Sequence, residues 1–159
     1  MKIEMKIVQL ENIRILVVDD DKKISDTLSL ILESRGYQVD VANTGKIAVE
    51  KSKANKYNLA VLDIKLPDID GTKLLKSMHE ISPNIIRIIL TGYPQLKNVI
   101  TALNEGVDAY FTKPVDPTRL IKTIEEKLEE QAGSDRDLEE RAEGNTASAA
   151  EELPSQEIE

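Results

Sequence analysis

Short apolar runs alternate with segments of helical period along this chain. Residues 13–18 are apolar apart from Arg14 and stop at Asp19-Asp20-Asp21. Ile24, Leu28, Ile31 and Leu32 then fall at i, i+4, i+7 and i+8, one face of a helix, and Gly36 ends it. Residues 37–42 alternate like a half-buried strand, and 44–55 read as a weaker helix. Leu59–Leu62 forms a short buried strand that ends on Asp63. Leu74, Leu75, Met78 and Ile81 share one side of a helix predicted over 72–81, with Pro83 beyond its end. Residues 85–90 are strongly apolar and lead into Thr91-Gly92. A helix over 95–105 carries the stripe Leu96, Val99, Ile100 and Leu103, with Gly106 as its stop. Residues 107–112 make a last short strand. Asp116-Pro117 supplies a capping acid followed by proline at the first helical position, opening a helix with Leu120, Ile121, Ile124 and Leu128 inward.

Five strands and five helices therefore alternate strictly. Apolar strands joined by helical crossovers imply a parallel sheet covered on both faces, a doubly wound α/β domain. The expected organisation is an N-terminal extension over 1–11, the folded domain over 12–132 and a different kind of chain over 133–159. Gly, Ser, Asp, Glu and Ala dominate that last stretch, which holds few large apolar residues (Leu138, Leu153, Ile158). Such a segment buries little, so an acidic, disordered tail or truncated linker is expected there.

Charge sharpens the division. The chain of 159 residues has a net charge of −8, and residues 133–159 account for −7 of it. The folded part is nearly neutral, lacks tryptophan and belongs to a chain with only 3% aromatics, which argues against direct nucleic-acid binding. No cysteine is present, so disulfides, thiol catalysis and cysteine zinc sites are excluded. The single His79 cannot form a histidine metal cluster. No apolar run approaches the ~18 residues of a membrane span, and residues 1–6 lack a signal-peptide core. A soluble, cytoplasmic chain without membrane contact is expected.

Ligands of open parallel sheets bind beyond the carboxyl ends of the strands. Those ends carry Asp19, Asp20 and Asp21 after the first strand, Asp63 after the third, Thr91 after the fourth and Lys113-Pro114 after the fifth. Neighbouring acids repel unless a cation lies between them. A small set of oxygen ligands suits Mg²⁺, which keeps several waters and withdraws charge from a phosphoryl group. Lys113 and Thr91 are placed to meet phosphate oxygens. Asp21 is expected to cap the first helix, and Asp68-Ile69-Asp70-Gly71 to form the turn before the third.

The stretches Ile15-Leu16-Val17-Val18-Asp19-Asp20-Asp21, Val61–Asp63 through Gly71, Ile89-Leu90-Thr91-Gly92 and Ala109–Pro114 strongly resemble the receiver domain of two-component response regulators, the chemotaxis-regulator-like (CheY-like) family. The resemblance spans about 12–130. It implies a flavodoxin-like sheet in strand order 2-1-3-4-5 and a phosphorelay function, apparently as a single domain. Asp63 would accept a phosphoryl group from a sensor histidine kinase or phosphotransfer protein. Asp20 and Asp19, with Asp63 and the backbone carbonyl of Lys65, would bind Mg²⁺. Thr91 would turn toward the phosphate, Lys113 would pair with it, and Tyr110 would be the aromatic switch. Lys65 and Tyr93 would flank the attacking water and lengthen the phosphoryl lifetime. The family also implies a possible homodimer through the last helix–strand–helix face. Such a chain catalyses its own phosphorylation and slow dephosphorylation and is not otherwise an enzyme. Its output partner is unreadable.

Two other readings compete. One is a binding module for a kinase or output protein that is never phosphorylated. The other is a phosphatase of the haloacid dehalogenase type, whose Asp-x-Asp-Gly-Thr motif is matched literally by Asp68–Thr72. In that family the first acid follows an apolar strand directly, whereas the strand here ends at Asp63.

Overall fold

The computed structural model describes residues 12–151. The expected N-terminal extension and the last eight residues of the expected tail lie outside them. Strand β1 (Arg14–Val18) leads to helix α1 (Lys22–Ser34), β2 (Gln38–Ala42), α2 (Gly45–Ala54), β3 (Leu59–Leu62) and α3 (Gly71–Ile81). The chain continues through β4 (Ile86–Thr91), α4 (Leu96–Asn104), β5 (Ala109–Thr112) and α5 (Pro117–Glu151). All strand pairs are parallel, in the order β2-β1-β3-β4-β5. The fold is therefore the doubly wound, flavodoxin-like one expected.

The two faces of the sheet follow from the pleat, which sends alternate side chains to opposite sides. Ile15 and Val17 point toward α1 and α5, where Leu28, Leu32, Leu120, Ile121 and Ile124 pack on them. Leu16 and Val18 point the other way, into a cluster with Ala48, Leu74, Leu75, Met78 and Ile89. Caps set the helix starts. Asp21 accepts from the Lys23 and Ile24 N–H groups, and Asp116 accepts from Thr118 N–H. Gly36 and Gly106 end α1 and α4 with φ of 94° and 74°, the left-handed region that glycine enters without strain.

One expectation needs correction. Helix α5 does not stop near Gly133 but runs to Glu151, so the expected disorder of the tail does not hold for residues 133–151. One glycine costs about 1 kcal/mol in a helix, and the Glu, Arg, Ala and Leu around it are good formers that extend a helix already nucleated on the core. Gln131 also donates to the Asn84 carbonyl, fastening the helix just before the domain's expected end. Helix α4 turns most of its apolar stripe outward: Leu96 is 76% exposed, Ile100 49% and Leu103 61%, while Val99 is half-buried and Ala102 is the residue it buries. No helix among the described residues is long and apolar enough to cross a membrane.

Candidate phosphoacceptor site

The register of the sheet brings the strand ends to one rim. Val18 pairs with Leu62 across β1 and β3, so Asp19 and Asp63 leave neighbouring strands side by side. The Asp63 N–H donates to the Val18 carbonyl, and the Asp19 N–H donates to that of Ala42, which holds both residues at their strand ends. Asp19 and Asp63 are buried, while Asp20 is exposed at the mouth. Carboxylate oxygens of Asp19, Asp20 and Asp63 lie within 4.8 Å of one another.

Lys113 enters from the far side. Its N–H donates to the Thr91 carbonyl at 2.8 Å, which sets β5 against β4. Its Nζ donates to Asp19 Oδ2 at 2.6 Å and to Asp63 Oδ2 at 2.9 Å. The other Asp63 oxygen accepts from the Lys65 N–H at 3.0 Å, and Asp19 Oδ1 accepts from the Asp21 N–H. The Asp63 carboxylate is thus held in one orientation by a side chain and a backbone amide.

Electrostatics here are unbalanced. Burial raises the Asp19 pKa above the usual 3.8, and the bond from Lys113 offsets only part of that. Burial opposes the charge on Lys113, but its bonds to Asp19 and Asp63 outweigh that and raise its pKa above 10.5. Three carboxylates share one ammonium, an excess of two negative charges. Hard oxygen donors in that arrangement fit a divalent cation of the Mg²⁺ type.

The remaining predicted residues surround this core. Thr91 is fully buried at the end of β4, and its hydroxyl oxygen accepts from the Tyr93 N–H at 3.2 Å. Tyr110 packs against the cluster on the α3 side, and its hydroxyl is buried without a hydrogen-bond partner among the described residues. Burial, reinforced by the charge of Asp63, raises its pKa. The Lys65 ammonium lies 3.8 Å from the centre of the Tyr93 ring, so these two exposed side chains meet.

Some contributors were not singled out from the sequence. Asn43 donates to the Asp19 carbonyl at 2.8 Å and to the Ser25 hydroxyl, bracing the first acid from β2. Its position just after a strand end at the same rim was the available signal. The Asp68–Thr72 motif joins no acid cluster among the described residues. Asp68 accepts from the Gly45 and Lys46 N–H groups, and Asp70 accepts from the Thr72 N–H and hydroxyl, so both act as helix caps and not as a phosphatase pair.

Residues 15–125 match the response regulator receiver domain family. The chain belongs to that family. It is 35% identical over 118 residues to the transcriptional regulatory protein ZraR of Escherichia coli (strain K12), covering 74% of this chain and 27% of ZraR. The receiver thus spans about a quarter of that relative's length. A solved CheY-like receiver domain protein from Methanospirillum hungatei JF-1 is 46% identical, with a TM-score of 0.75 over 77% of this chain and 98% of that one. The receiver domain of NtrC4, solved as a beryllofluoride-activated dimer, is 36% identical with a TM-score of 0.70, over 74% and 98% of the two chains.

Proposed function

We propose that this receiver accepts a phosphoryl group on Asp63 from a histidine kinase or phosphotransfer protein and switches conformation in response. The observation that carries the reading is the Lys113 ammonium, held between the buried carboxylates of Asp19 and Asp63. That pairing suits a site built to take up more negative charge at Asp63. An oxygen of the Asp63 carboxylate attacks phosphorus, the bond to the donor's imidazole nitrogen breaks, and that electron pair leaves with the imidazole. Asp19, Asp20, Asp63 and the Lys65 carbonyl would hold Mg²⁺, which when bound supplies charge withdrawal from the phosphoryl oxygens. Lys113 and the Lys65 N–H already hold the two Asp63 oxygens, so the carboxylate meets phosphorus preoriented.

Phosphorylation adds about −1.5 to −2 charges and three acceptor oxygens. Lys113 then pairs with the new anion, and the Thr91 hydroxyl turns from the Tyr93 N–H toward it. Tyr110 packs on the same side and passes the change to α4, β5 and α5. The exposed Leu96, Ile100 and Leu103 supply an apolar surface there for an output partner or a second copy, a reading that the activated NtrC4 dimer supports by analogy.

Acetyl phosphate with Mg²⁺ tests the acceptor. Intact-mass measurement should find one added phosphate on the wild type and none with EDTA or in Asp63→Asn. Equal uptake in Asp63→Asn would overturn the assignment, and no uptake in the wild type would favour the unphosphorylated binding module. The Lys65 ammonium lies 3.8 Å from the centre of the Tyr93 ring, and a pair joined in this way would crowd the approach of water and slow hydrolysis of the phosphoryl group. A Lys65→Asn, Tyr93→Glu double variant should lose phosphate faster, and an equal or slower decay would remove that role.

A further inference from the structure

The loop between β3 and α3 carries both the acceptor and the backbone next to it, and its shape is determined from two sides. On the inner side, the Lys65 N–H donates to Asp63 Oδ1, the Gly71 N–H donates to the Ile64 carbonyl at 2.9 Å, and Lys65 and Asp70 form an antiparallel bridge. Gly71 permits this closure, since a Cβ there would meet the Ile64 backbone at 2.3 Å. On the outer side, the loop tip reaches across to a different helix. Asp68 Oδ1 accepts from the Gly45 N–H and Oδ2 from the Lys46 N–H, each at 2.9 Å. Gly45 lets the tip come this close, because a Cβ there would lie 1.9 Å from Ile69 Cγ2.

Helix α2 has its own cap besides. Thr44 Oγ1 accepts from the Ile47 N–H at 3.1 Å. The first three amides of the helix are therefore divided between a residue of its own chain segment and a carboxylate 22 to 23 residues away. Local capping needs only the first kind. Asp70 meanwhile caps α3 through Thr72. The loop is thus strung between the positive ends of two helices, with Asp68 as its only side-chain bond to α2 among the described residues.

We propose that Asp68 is a positioning residue for the phosphoacceptor site: its bond to α2 holds the 63–71 loop where the Lys65 N–H orients Asp63, and with it the Lys65 carbonyl assigned above to Mg²⁺. The role assigned to the Lys65 carbonyl rests on the phosphoacceptor reading above, whereas the orientation of Asp63 does not. Asp68 itself is not one of the clustered acids Asp19, Asp20 and Asp63. The motif that imitates a phosphatase signature is, on this account, the suspension of the loop.

The test sets Asp68→Ala beside Thr44→Ala, which removes a cap from the same helix without touching the loop. Amide hydrogen exchange at Lys65 and Gly71 is read by NMR on the full chain without metal. Mg²⁺ is then titrated, with the Lys65 amide as reporter. Asp68→Ala should speed exchange at both amides and weaken Mg²⁺ binding about fivefold, the effect of one lost cap, while Thr44→Ala leaves both within about twofold. Asp68→Asn, which keeps one acceptor oxygen, should fall between, and it carries the comparison if the alanine variant does not fold. Equal effects from Thr44→Ala and Asp68→Ala, or unchanged Lys65 exchange in Asp68→Ala, would overturn the proposal. A wild type that takes no phosphate would defeat the phosphoacceptor reading and leave the exchange result standing on its own.

Discussion

Helices α3 and α4 carry apolar stripes of similar spacing and lie side by side on one face of the sheet, yet their stripes meet different surroundings. In α3, Leu74, Leu75 and Met78 are at most 1% exposed and form the centre of a core cluster. In α4, Leu96, Ile100 and Leu103 stand in solvent while Ala102 faces inward. Helix α4 stays in place by other means. The buried Arg87 guanidinium donates to the Leu75 carbonyl of α3 at 3.0 Å and to the Glu105 carbonyl that caps α4, tying the two helices together. At its other end α4 has no side-chain cap on Gln95. A stripe therefore shows that a helix is amphipathic, but it does not say whether the apolar face is for the core or for a partner. The first belongs to stability and the second to function.

Truncation separates the two. Leu74→Ala should cost about 2–5 kcal/mol by denaturant unfolding, because it opens a cavity in a closed core. Leu103→Ala should stay within about 0.5 kcal/mol of the wild type. Equal losses would mean that α4 packs inward in solution. Arg87→Met should fall between, at about 1–3 kcal/mol, since it leaves two carbonyls without their donor. Amide exchange should then rise at the C-terminal end of α4 more than in α3. Uniform acceleration over the whole domain would show that Arg87 supports the core and not this helix in particular.

Much of this was legible in the sequence, for local reasons. Each apolar run ended at a polar residue of the rim, so the ends of the strands and the site at them could be read together. Asp21, Asp116, Gly36 and Gly106 announce helix boundaries because their effects are confined to one turn. What the sequence did not show is of tertiary origin. The direction of the α4 stripe depends on what α3, through Arg87, leaves for it to do. Arg87 itself sits in an apolar strand, where sequence cannot distinguish a buried arginine satisfied by carbonyls from an exposed one. Asp68 finds its partners in another helix. The continuation of α5 past Gly133 depends on the helix being already nucleated.

A smaller effect contrasts the buried acids with the exposed ones. The Asp19 pKa is raised by burial, whereas those of Asp68 and Asp70 are lowered by the N–H groups they accept from. A raised carboxyl disfavours the fold while charged, so Asp19 adds stability as pH falls from its raised value to 3.8. The two caps contribute above 3.8 and lose that contribution as pH falls through their lower values. Carboxyl resonances followed on acidification should move first at Asp19 and last at Asp68 and Asp70. The reverse order would contradict the burial of Asp19.

The central claim is that the acid cluster and the exposed face of α4 are two ends of one switch. Beryllofluoride, a phosphoryl mimic, added with Mg²⁺ tests it most directly. Amide resonances should shift around Asp63 and also at Thr91, at Tyr110 and along α4 from Leu96 to Leu103. Shifts confined to the neighbourhood of Asp63, with α4 and Tyr110 unmoved at saturation, would contradict the account.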